Sequence, residues 1–378
     1  MPEERHEMKS AKKPLSGSAA RRHAAELHKR AIVIDCHSDI LMDVAKGYVR
    51  TGKQVEIPGA VGWRPPFELH EKPGAWAAWP IGNQFGTIGQ YSIPQFVTGG
   101  LTVQVCAMWV EDDELDCALR RTLEMVYWFH RETEDNPNFK LITSADGIRR
   151  CKREGTVGGI LAIESGEALG TDIKMLDVFY RLGVRMVGLA HNRRNFFCDG
   201  TQHHIKSAGL TAPGKAAVKR MNELGIVVDV GHLTMTGFRE TLELSTQPVV
   251  LSHRSPRKFF PLKPEDSPFH PGYDLAGGKE GLQALAKNGG VFGVFFMGSK
   301  DVSDVVDDIA YVIDLVGPDH VGLGSDLYGA QTAPKGLEDI SKVPAITESL
   351  VRRGYSDKVI LKILGGNFMR VFEAVWKD

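Results

Sequence analysis

Long apolar runs are missing from this chain of 378 residues, and so is a strong net charge. Apolar runs such as Val291–Met297, which Gly293 interrupts, fall far short of the roughly 20 residues that a membrane-spanning helix needs. The formal net charge of -1 provides no basic surface for nucleic acid. The opening stretch MPEERHEMKSAKKP lacks the apolar core of a signal peptide. We therefore expect a protein without membrane or nucleic-acid partners that acts on a small molecule.

Cysteine is also scarce, and no pair of cysteines has the CxxC spacing. The five cysteines are scattered and odd in number: Cys36, Cys106, Cys117, Cys151 and Cys198. This usage is typical of unpaired thiols in a reducing compartment, which favours a cytoplasmic location. The sequence also has no glycine fingerprint for a dinucleotide or phosphate, and no G-x-S-x-G nucleophile elbow. These absences argue against several common classes of α/β enzyme.

What the chain does have is a regular alternation of short apolar segments with helical ones. Eight segments have the length and branching of buried parallel strands, namely 32–34, 101–109, 159–163, 186–190, 226–230, 249–252, 291–296 and 321–324. Eight such units predict a single (β/α)8, TIM-like barrel domain over residues 1–378. An open doubly wound sheet is the alternative, but it would gather its ligand-type residues at one switch point.

Three regions depart from this repeat. Residues 1–17 form a polar N-terminal extension, and a segment around residues 54–98 is rich in Gly, Pro and Trp, which predicts a loop insertion. Its length is unusual for a compact domain and suggests a functional flap or an ordered excursion over the site, with an inert insertion as the alternative. A second long loop follows His253.

Six of the apolar segments are followed by a histidine or a carboxylate. These residues are His37 with Asp39, Glu164, His191, His232, His253 and Asp326. Because α/β barrels build their chemistry at the carboxyl ends of the strands, we expect the side chains to converge there. Histidine nitrogen and carboxylate oxygen form the ligand set of zinc and related metals, and Cys36 should alternate away from His37 and Asp39. The pattern predicts a catalytic metal centre.

The number of ligands bears on the reaction. Four such groups suffice for one catalytic metal, and five suffice for two if one carboxylate bridges them, a role that we assign to Glu164. A two-metal site can hold a bridging hydroxide while it polarises a carbonyl, which is hydrolytic chemistry. Asp326, after the last strand, has the position of a proton carrier. The alternative is that Asp326 is a sixth metal ligand or only orients a histidine.

Short motifs in a fixed order resemble the membrane (renal-type) dipeptidases, peptidase family M19, and in particular their soluble bacterial members. The motifs run almost from end to end and include IDCHSD (34–39), GGLTVQV (99–105), AIESGEAL (162–169), GLAHNRRNFFCDG (188–200), VVLSH (249–253), HVGLGSD (320–326) and GGNFMRVF (365–372). The resemblance implies a zinc-dependent barrel enzyme that hydrolyses dipeptides, with tolerance in some members for a D residue at the C-terminal position. It also implies a homodimer.

The resemblance assigns roles residue by residue. It implies two Zn²⁺ per chain, one on His37 and Asp39, the other on His232 and His253, with Glu164 as the bridge. His191 would hydrogen-bond the scissile carbonyl oxygen of the substrate. Asp326 matches the acid/base aspartate of the family.

The loop after His253 departs from the family pattern, which carries an arginine there for the substrate carboxylate. We assign this role to Arg257, with Arg254, Lys258 and Lys263 as alternatives. The altered loop also leaves open a binuclear amidohydrolase that acts on another small or modified amide. A metal-dependent binding protein without activity is a third interpretation, although it would leave His191 and Asp326 without a role.

Overall fold

The structure is a computed structural model that describes residues 17–45, 90–202, 207–256, 278–327 and 333–377. Within these ranges nine strands are present: β1 (Ile34–Asp35), β2 (Val103–Met108), β3 (Phe139–Leu141), β4 (Val157–Glu164), β5 (Val184–Gly188), β6 (Val227–Asp229), β7 (Val250–Arg254), β8 (Val291–Val294) and β9 (Val321–Leu323). The named strands pair in parallel with their neighbours.

Eight of these strands close into a barrel. β1 pairs with β2 on one side and with β9 on the other, β2 pairs with β4, and the strands from β4 to β9 follow in chain order. The short β3 lies outside this circuit, because it pairs only with the start of β4, with Phe139 opposite Val157. The predicted eight-stranded parallel barrel is therefore confirmed.

Helices occupy the connections between the strands. The described residues contain α1 (Gly17–Arg30), α2 (Ile40–Ala45), α3 (Ile93–Thr98), α4 (Ala118–Asp135), α5 (Ala145–Glu154), α6 (Met175–Arg181), α7 (Ala212–Leu224), α8 (Met235–Leu244), α9 (Lys279–Lys287), α10 (Val302–Val316), α11 (Pro344–Arg352), α12 (Asp357–Leu361) and α13 (Asn367–Val375). A 3₁₀ segment, Asp112–Cys117, precedes α4. A helix thus follows most of the barrel strands, as the alternation of the sequence predicts.

Capping residues in the sequence explain where α7 begins and ends. The Thr211 hydroxyl accepts a hydrogen bond from the backbone N–H of Gly214, and Pro213 occupies the first turn, where no N–H is needed. Gly225 ends the helix with φ of +79°, a left-handed conformation that glycine adopts without steric cost.

Several sequence-based boundaries need correction. The predicted loop insertion around 54–98 is wrong for its last residues, which form α3, while residues 46–89 lie outside the described part of the chain. The helical segments expected between the apolar ones, such as 112–133 and 176–182, do not include α5 and α11. A cap signal for α5 was nevertheless available, because Ser144 caps its N-terminus and Gly155 ends it at φ of +69°. The polar extension also lies outside the described residues, except Gly17, where α1 begins.

The interior of the barrel is filled by alternate residues of the strands. One apolar cluster takes Ile34 and Cys36, single or paired residues from β2 and β4 to β8, and Phe368 and Phe372 from α13. Because successive residues of a strand face opposite sides, the residues between them pack against the surrounding helices in a second cluster. Phe368 fits against Gly322 of β9, where a Cβ would lie 2.3 Å from the ring. Helix α13 therefore packs into the apolar interior.

A buried histidine joins three helices on the outside of the barrel. The Nε2 of His28 in α1 lies 2.8 Å from the carbonyl oxygen of Gly99, and its Nδ1 lies 2.7 Å from the hydroxyl of Thr347 in α11. Since a carbonyl can only accept, Nε2 carries the proton and Nδ1 accepts from Thr347, so the neutral imidazole is fully satisfied. Burial lowers the pKa of His28 below its usual value. The hydrogen bond to the Gly99 carbonyl opposes this shift, and the positive charge of Lys152 adds to it.

This geometry predicts a pH-dependent contribution to stability. A histidine with a lowered pKa in the folded state contributes stability fully above its unfolded pKa of about 6.5 and loses that contribution as the pH falls. We expect His28→Leu to lower the free energy of unfolding by about 1–3 kcal/mol at pH 7.5, because Thr347 loses its buried partner. The difference from wild type should shrink at pH 5.

Urea unfolding at the two pH values measures both effects. His23→Leu provides the matched control, since His23 lies in the same helix but is partly exposed and pairs with Asp357. An equal difference between wild type and His28→Leu at pH 5 and pH 7.5 would contradict the assignment.

Candidate metal centre

Glu164 lies at the centre of the predicted site. It is the last residue of β4, only 7% exposed, and follows the interior residues Ile160 and Ala162 in alternation. Its Oε1 is 3.1 Å from Nε2 of His232, and its Oε2 is 3.5 Å from Nε2 of His37. The two carboxylate oxygens therefore face two imidazoles that lie far apart in the sequence.

His37 and Asp39 come from the loop between β1 and α2. The strand ends at Asp35, later than the predicted 32–34 segment, so the loop and not the strand pleat carries these side chains. His37 Nε2 lies 3.8 Å from Oδ1 of Asp39 and 3.7 Å from Oδ1 of Asp326. Both carboxylates thus share the imidazole that also faces Glu164.

His232 and His253 form the other half of the cluster. Their Nε2 atoms are 2.9 Å apart, and His253 Nε2 lies 3.8 Å from Oε1 of Glu164. The hydroxyl of Ser252 is 2.9 Å from Nδ1 of His253 and so orients its ring. Such second contacts are usual for histidines that bind metals.

A buried aspartate, which the sequence patterns did not single out, sets the spacing of these two histidines. Oδ1 of Asp229, the last residue of β6, accepts the backbone N–H of Gly231 at 2.9 Å and that of Ser252 at 3.0 Å. These residues immediately precede His232 and His253. One carboxylate therefore ties together the backbone on which both ligand-type side chains are mounted.

His191 and Trp109 line the neighbouring side. The His191 ring centroid is 4.3 Å from that of His232 and 4.8 Å from that of Trp109. Burial, reinforced by His232, lowers the pKa of His191 to about 3, which keeps the imidazole neutral. Nδ1 of His191 and Nε1 of Trp109 are both buried without a hydrogen-bond partner among the described residues. Trp109 directly follows β2, and the sequence patterns did not assign it to the site.

Backbone strain is concentrated at this cluster. Among the described residues other than glycine, positive φ occurs at Ser165 (+97°), His232 (+59°) and Asp326 (+48°). Each of these is a site residue or directly follows one. Such conformations cost of order 1–3 kcal/mol and persist where the surroundings over-determine them, typically at functional sites.

The charges of the cluster are poorly balanced by the protein alone. Burial raises the pKa of Asp326 well above its usual range. His37 opposes this shift, whereas the negative charges of Asp39 and Glu164 add to it. Burial and Glu164 likewise raise the pKa of Asp39. Burial would also raise the pKa of Glu164, but His37 and His232 hold it well below its usual range. Two buried carboxylates, Glu164 and Asp326, and the partly buried Asp39 thus share few cationic partners.

The donor atoms fit a bound metal. Three groups have ligand atoms within 4.8 Å of one another: His37, Glu164 and His253; Glu164, His191 and His232; and His37, Asp39 and Asp326. Several of these atoms are buried without a hydrogen bond in the described structure, including Nε2 of His37 and Oδ1 of Asp39 and of Asp326. A cation would satisfy them and compensate the carboxylates, and imidazole with carboxylate is the zinc ligand set.

The grouping differs in part from the predicted pairs of ligands. All seven predicted residues converge. His253, which the prediction pairs with His232, is grouped with His37 instead. His191 and Asp326, which the prediction treats as catalytic groups, each fall within a group of potential ligands. The geometry of the side chains therefore does not by itself distinguish ligands from catalytic groups. Cys36 is buried in the barrel interior and belongs to none of these groups.

The predicted carboxylate-binding residue Arg257 lies outside the described residues. Its alternative Arg254 ends β7, next to His253, and burial lowers the pKa of its guanidinium to about 10. Among the described residues, no hydrogen bond or ion pair to that guanidinium is present.

Among the helices of the described residues, none combines the length and the hydropathy that crossing a membrane requires.

A parallel (β/α)8 barrel with a buried cluster of histidines and carboxylates at the carboxyl ends of its strands is the arrangement of metal-dependent hydrolases. Comparison with known proteins narrows this class. The profile of membrane dipeptidase (peptidase family M19) matches residues 21–377. The chain therefore belongs to peptidase family M19.

Individual relatives agree with this membership. Dipeptidase 3 of Rattus norvegicus is 30% identical over 302 residues, which cover 76% of this chain and 59% of that protein. The match thus spans less than two thirds of the relative's length. The crystal structure of dipeptidase AC, a metallopeptidase of family M19, superposes with a TM-score of 0.73 at 25% identity, covering 92% of this chain and 99% of the other. A metallopeptidase from Rhodobacter sphaeroides, liganded with a phosphinate mimic of the dipeptide L-Ala-D-Ala, shares the fold, with a TM-score of 0.72, 24% identity, and coverage of 92% and 99%.

Metal analysis tests the site directly. We expect about two divalent ions per chain in the replete protein, and a loss of about one in His232→Ala, because this imidazole contacts Glu164 and His253 together. Inductively coupled plasma mass spectrometry after removal of free metal gives the stoichiometry. His320→Ala is the matched control, since His320 precedes β9 at the other end of the barrel and contacts the Gly290 carbonyl. Equal metal content in wild type and His232→Ala would contradict the assignment.

Proposed function

We propose that this chain is a zinc-dependent dipeptidase with two Zn²⁺ per chain. The observation that carries the proposal is the position of Glu164, whose two oxygens face His37 and His232 at 3.5 and 3.1 Å in a member of family M19. A carboxylate with ligand-type histidines on both of its oxygens suits a bridging role. The zinc pair would rest on His37 and Asp39 and on His232 and His253, with Glu164 shared.

When bound, two such ions supply a Lewis acid for the substrate carbonyl and lower the pKa of a bound water. The protein provides what surrounds them. Asp229, through the backbone of Gly231 and Ser252, keeps His232 and His253 in place. The ordered second contacts reduce the reorganisation needed when the substrate arrives.

His191 would position the scissile carbonyl. Its neutral imidazole retains one N–H, and it lies against His232 at the edge of the cluster. A hydrogen bond from this N–H to the carbonyl oxygen strengthens as negative charge develops there. The unpartnered indole N–H of Trp109 lies beside it and can contact the substrate as well.

Asp326 would move the proton. Water adds to the carbonyl carbon, its proton passes to the Asp326 carboxylate, and the carboxylic acid then protonates the departing amine as the C–N bond breaks. The products are two amino acids. Its Oδ1 lies 3.7 Å from Nε2 of His37, so the carboxylate is close enough to the proposed metal ligands to exchange a proton with a water there.

For the substrate carboxylate we propose a cation of the loop that follows His253. Arg254 has the geometry in its favour, since it ends β7 beside the cluster. Arg257 keeps its place as the residue assigned by resemblance. A guanidinium grips a carboxylate with two parallel hydrogen bonds, which would favour free dipeptides over longer or blocked peptides.

The proposal extends to the cellular setting. The five cysteines are all free, and four of them are buried, which suits a reducing compartment such as the cytoplasm. Family membership supports a homodimer, which sedimentation of the purified protein would test.

Turnover of a substrate panel tests the function. With zinc-reconstituted protein we expect hydrolysis of L,L-dipeptides and of some L,D-dipeptides, together with inhibition by a phosphinate dipeptide mimic. Dipeptide amides, which lack the terminal carboxylate, should show a raised KM. Turnover restricted to cyclic or modified amides would favour the other amidohydrolase, and zinc binding without any turnover would favour a binding protein.

Replacement of Asp326 separates chemistry from metal binding. Asn preserves the shape and one oxygen but cannot carry a proton. We therefore expect Asp326→Asn to keep its zinc while kcat falls by on the order of a hundredfold, with KM little changed. Loss of a metal ion would show that Asp326 is a ligand, and normal turnover would show that the proton follows another route.

A further inference from the structure

A buried tyrosine is hydrogen-bonded to the residues on both sides of Asp326. Tyr91, 3% exposed, immediately precedes Ser92, the N-cap residue of α3. Its hydroxyl oxygen is 2.7 Å from the hydroxyl of Ser325 and 3.0 Å from the backbone N–H of Leu327. The two neighbours of Asp326 along the chain are thus tied to one phenol group.

The direction of these hydrogen bonds follows from an aspartate at their end. Asp35, 1% exposed, accepts the backbone N–H of Ser325 on Oδ1 at 2.7 Å and the Ser325 hydroxyl on Oδ2 at 2.6 Å. An ionised carboxylate only accepts, so Ser325 donates to Asp35 and must accept from Tyr91. Tyr91 in turn accepts from the N–H of Leu327. The hydrogen bonds therefore run in one direction from Leu327 through Tyr91 and Ser325 to Asp35.

Asp326 needs such support because regular structure does not supply it. β9 ends at Leu323, and Asp326 has φ of +48°, a left-handed conformation that costs energy in a residue other than glycine. Its own N–H makes a hydrogen bond of 3.3 Å to the carbonyl oxygen of His37. The Tyr91 hydroxyl lies 3.4 Å from the same carbonyl oxygen. The hydrogen-bond network thus also joins the His37 loop to the Asp326 turn.

We infer that Tyr91 is a positioning residue that holds the Asp326 carboxylate in its reactive orientation through Ser325 and Leu327. The inference rests on the proposed function, in which Asp326 carries the proton. The Tyr91 hydroxyl contacts the Ser325 hydroxyl, the Leu327 N–H and the His37 carbonyl oxygen, and none of these three is a ligand-type side-chain atom. Its effect on the reaction should therefore pass through Asp326 and leave metal binding intact.

Tyr91→Phe removes the hydroxyl and keeps the ring, which packs on Phe96 with centroids 6.1 Å apart. We expect kcat for a dipeptide to fall roughly tenfold or more, since small misplacements of a catalytic group have effects of this size, while KM and zinc content stay near wild type. Ser325→Ala removes the next hydroxyl in the network and should reproduce the effect. Tyr355→Phe is the matched control, because Tyr355 is also buried but lies between α11 and α12.

A double-mutant cycle distinguishes positioning from a general loss of stability. In the Asp326→Asn background the hydroxyl has no proton carrier left to orient, so adding Tyr91→Phe should lower kcat by less than roughly twofold. A full tenfold loss in that background, or an unchanged kcat in Tyr91→Phe alone, would overturn the inference about Tyr91 while leaving Asp326 in its role. Normal turnover by Asp326→Asn alone would overturn the role of Asp326 in the proposed function, and the inference about Tyr91 with it.

Discussion

Burial of the Glu164 carboxylate among imidazoles is the constraint on which the rest of the site depends. An ionised carboxylate that is 7% exposed is costly unless it is paired, and here His37, His232 and His253 approach its two oxygens. These histidines come from three different strand ends. Their approach requires a closed barrel, because only closure brings β1 beside β9 and the end of β4 opposite both.

Close backbone contacts and buried aspartates of the barrel support this arrangement of side chains. Gly293 of β8 and Gly324, which directly follows β9, let the backbone approach the Ser252 carbonyl, where a Cβ would lie within 2 Å, so that the strand ends come close together around His253. Asp229 and Asp35 each bind the backbone next to site residues, at opposite sides of the cluster. The contacts of Asp229 and Asp35 are to the residues directly before His232 and Asp326, two of the residues with positive φ, which links the stability of the core to the geometry of the site.

Much of the architecture could be predicted because it depends on local patterns. The apolar segment before Glu164 has the composition of a buried parallel strand, and Thr211, Pro213 and Gly225 mark the ends of α7. Short and atypical elements escaped these patterns. β3 has three residues, and α5 is so basic on its exposed face that its three buried positions, Ala145, Ile148 and Cys151, are easily overlooked.

The sequence by itself determined which strand ends carry a histidine or a carboxylate, because the residue type and its position after a strand are local properties. From these residues a metal-binding hydrolase barrel was to be expected. The tertiary structure decided how these groups meet. It placed His253 near His37, and His191 near His232 and Trp109. It also brought in three residues that hydrogen-bond the chain next to the site residues, namely Asp229, Asp35 and Tyr91. Such contacts join residues up to 290 positions apart, and they arise from barrel closure, burial and hydrogen-bond satisfaction, which no local pattern encodes.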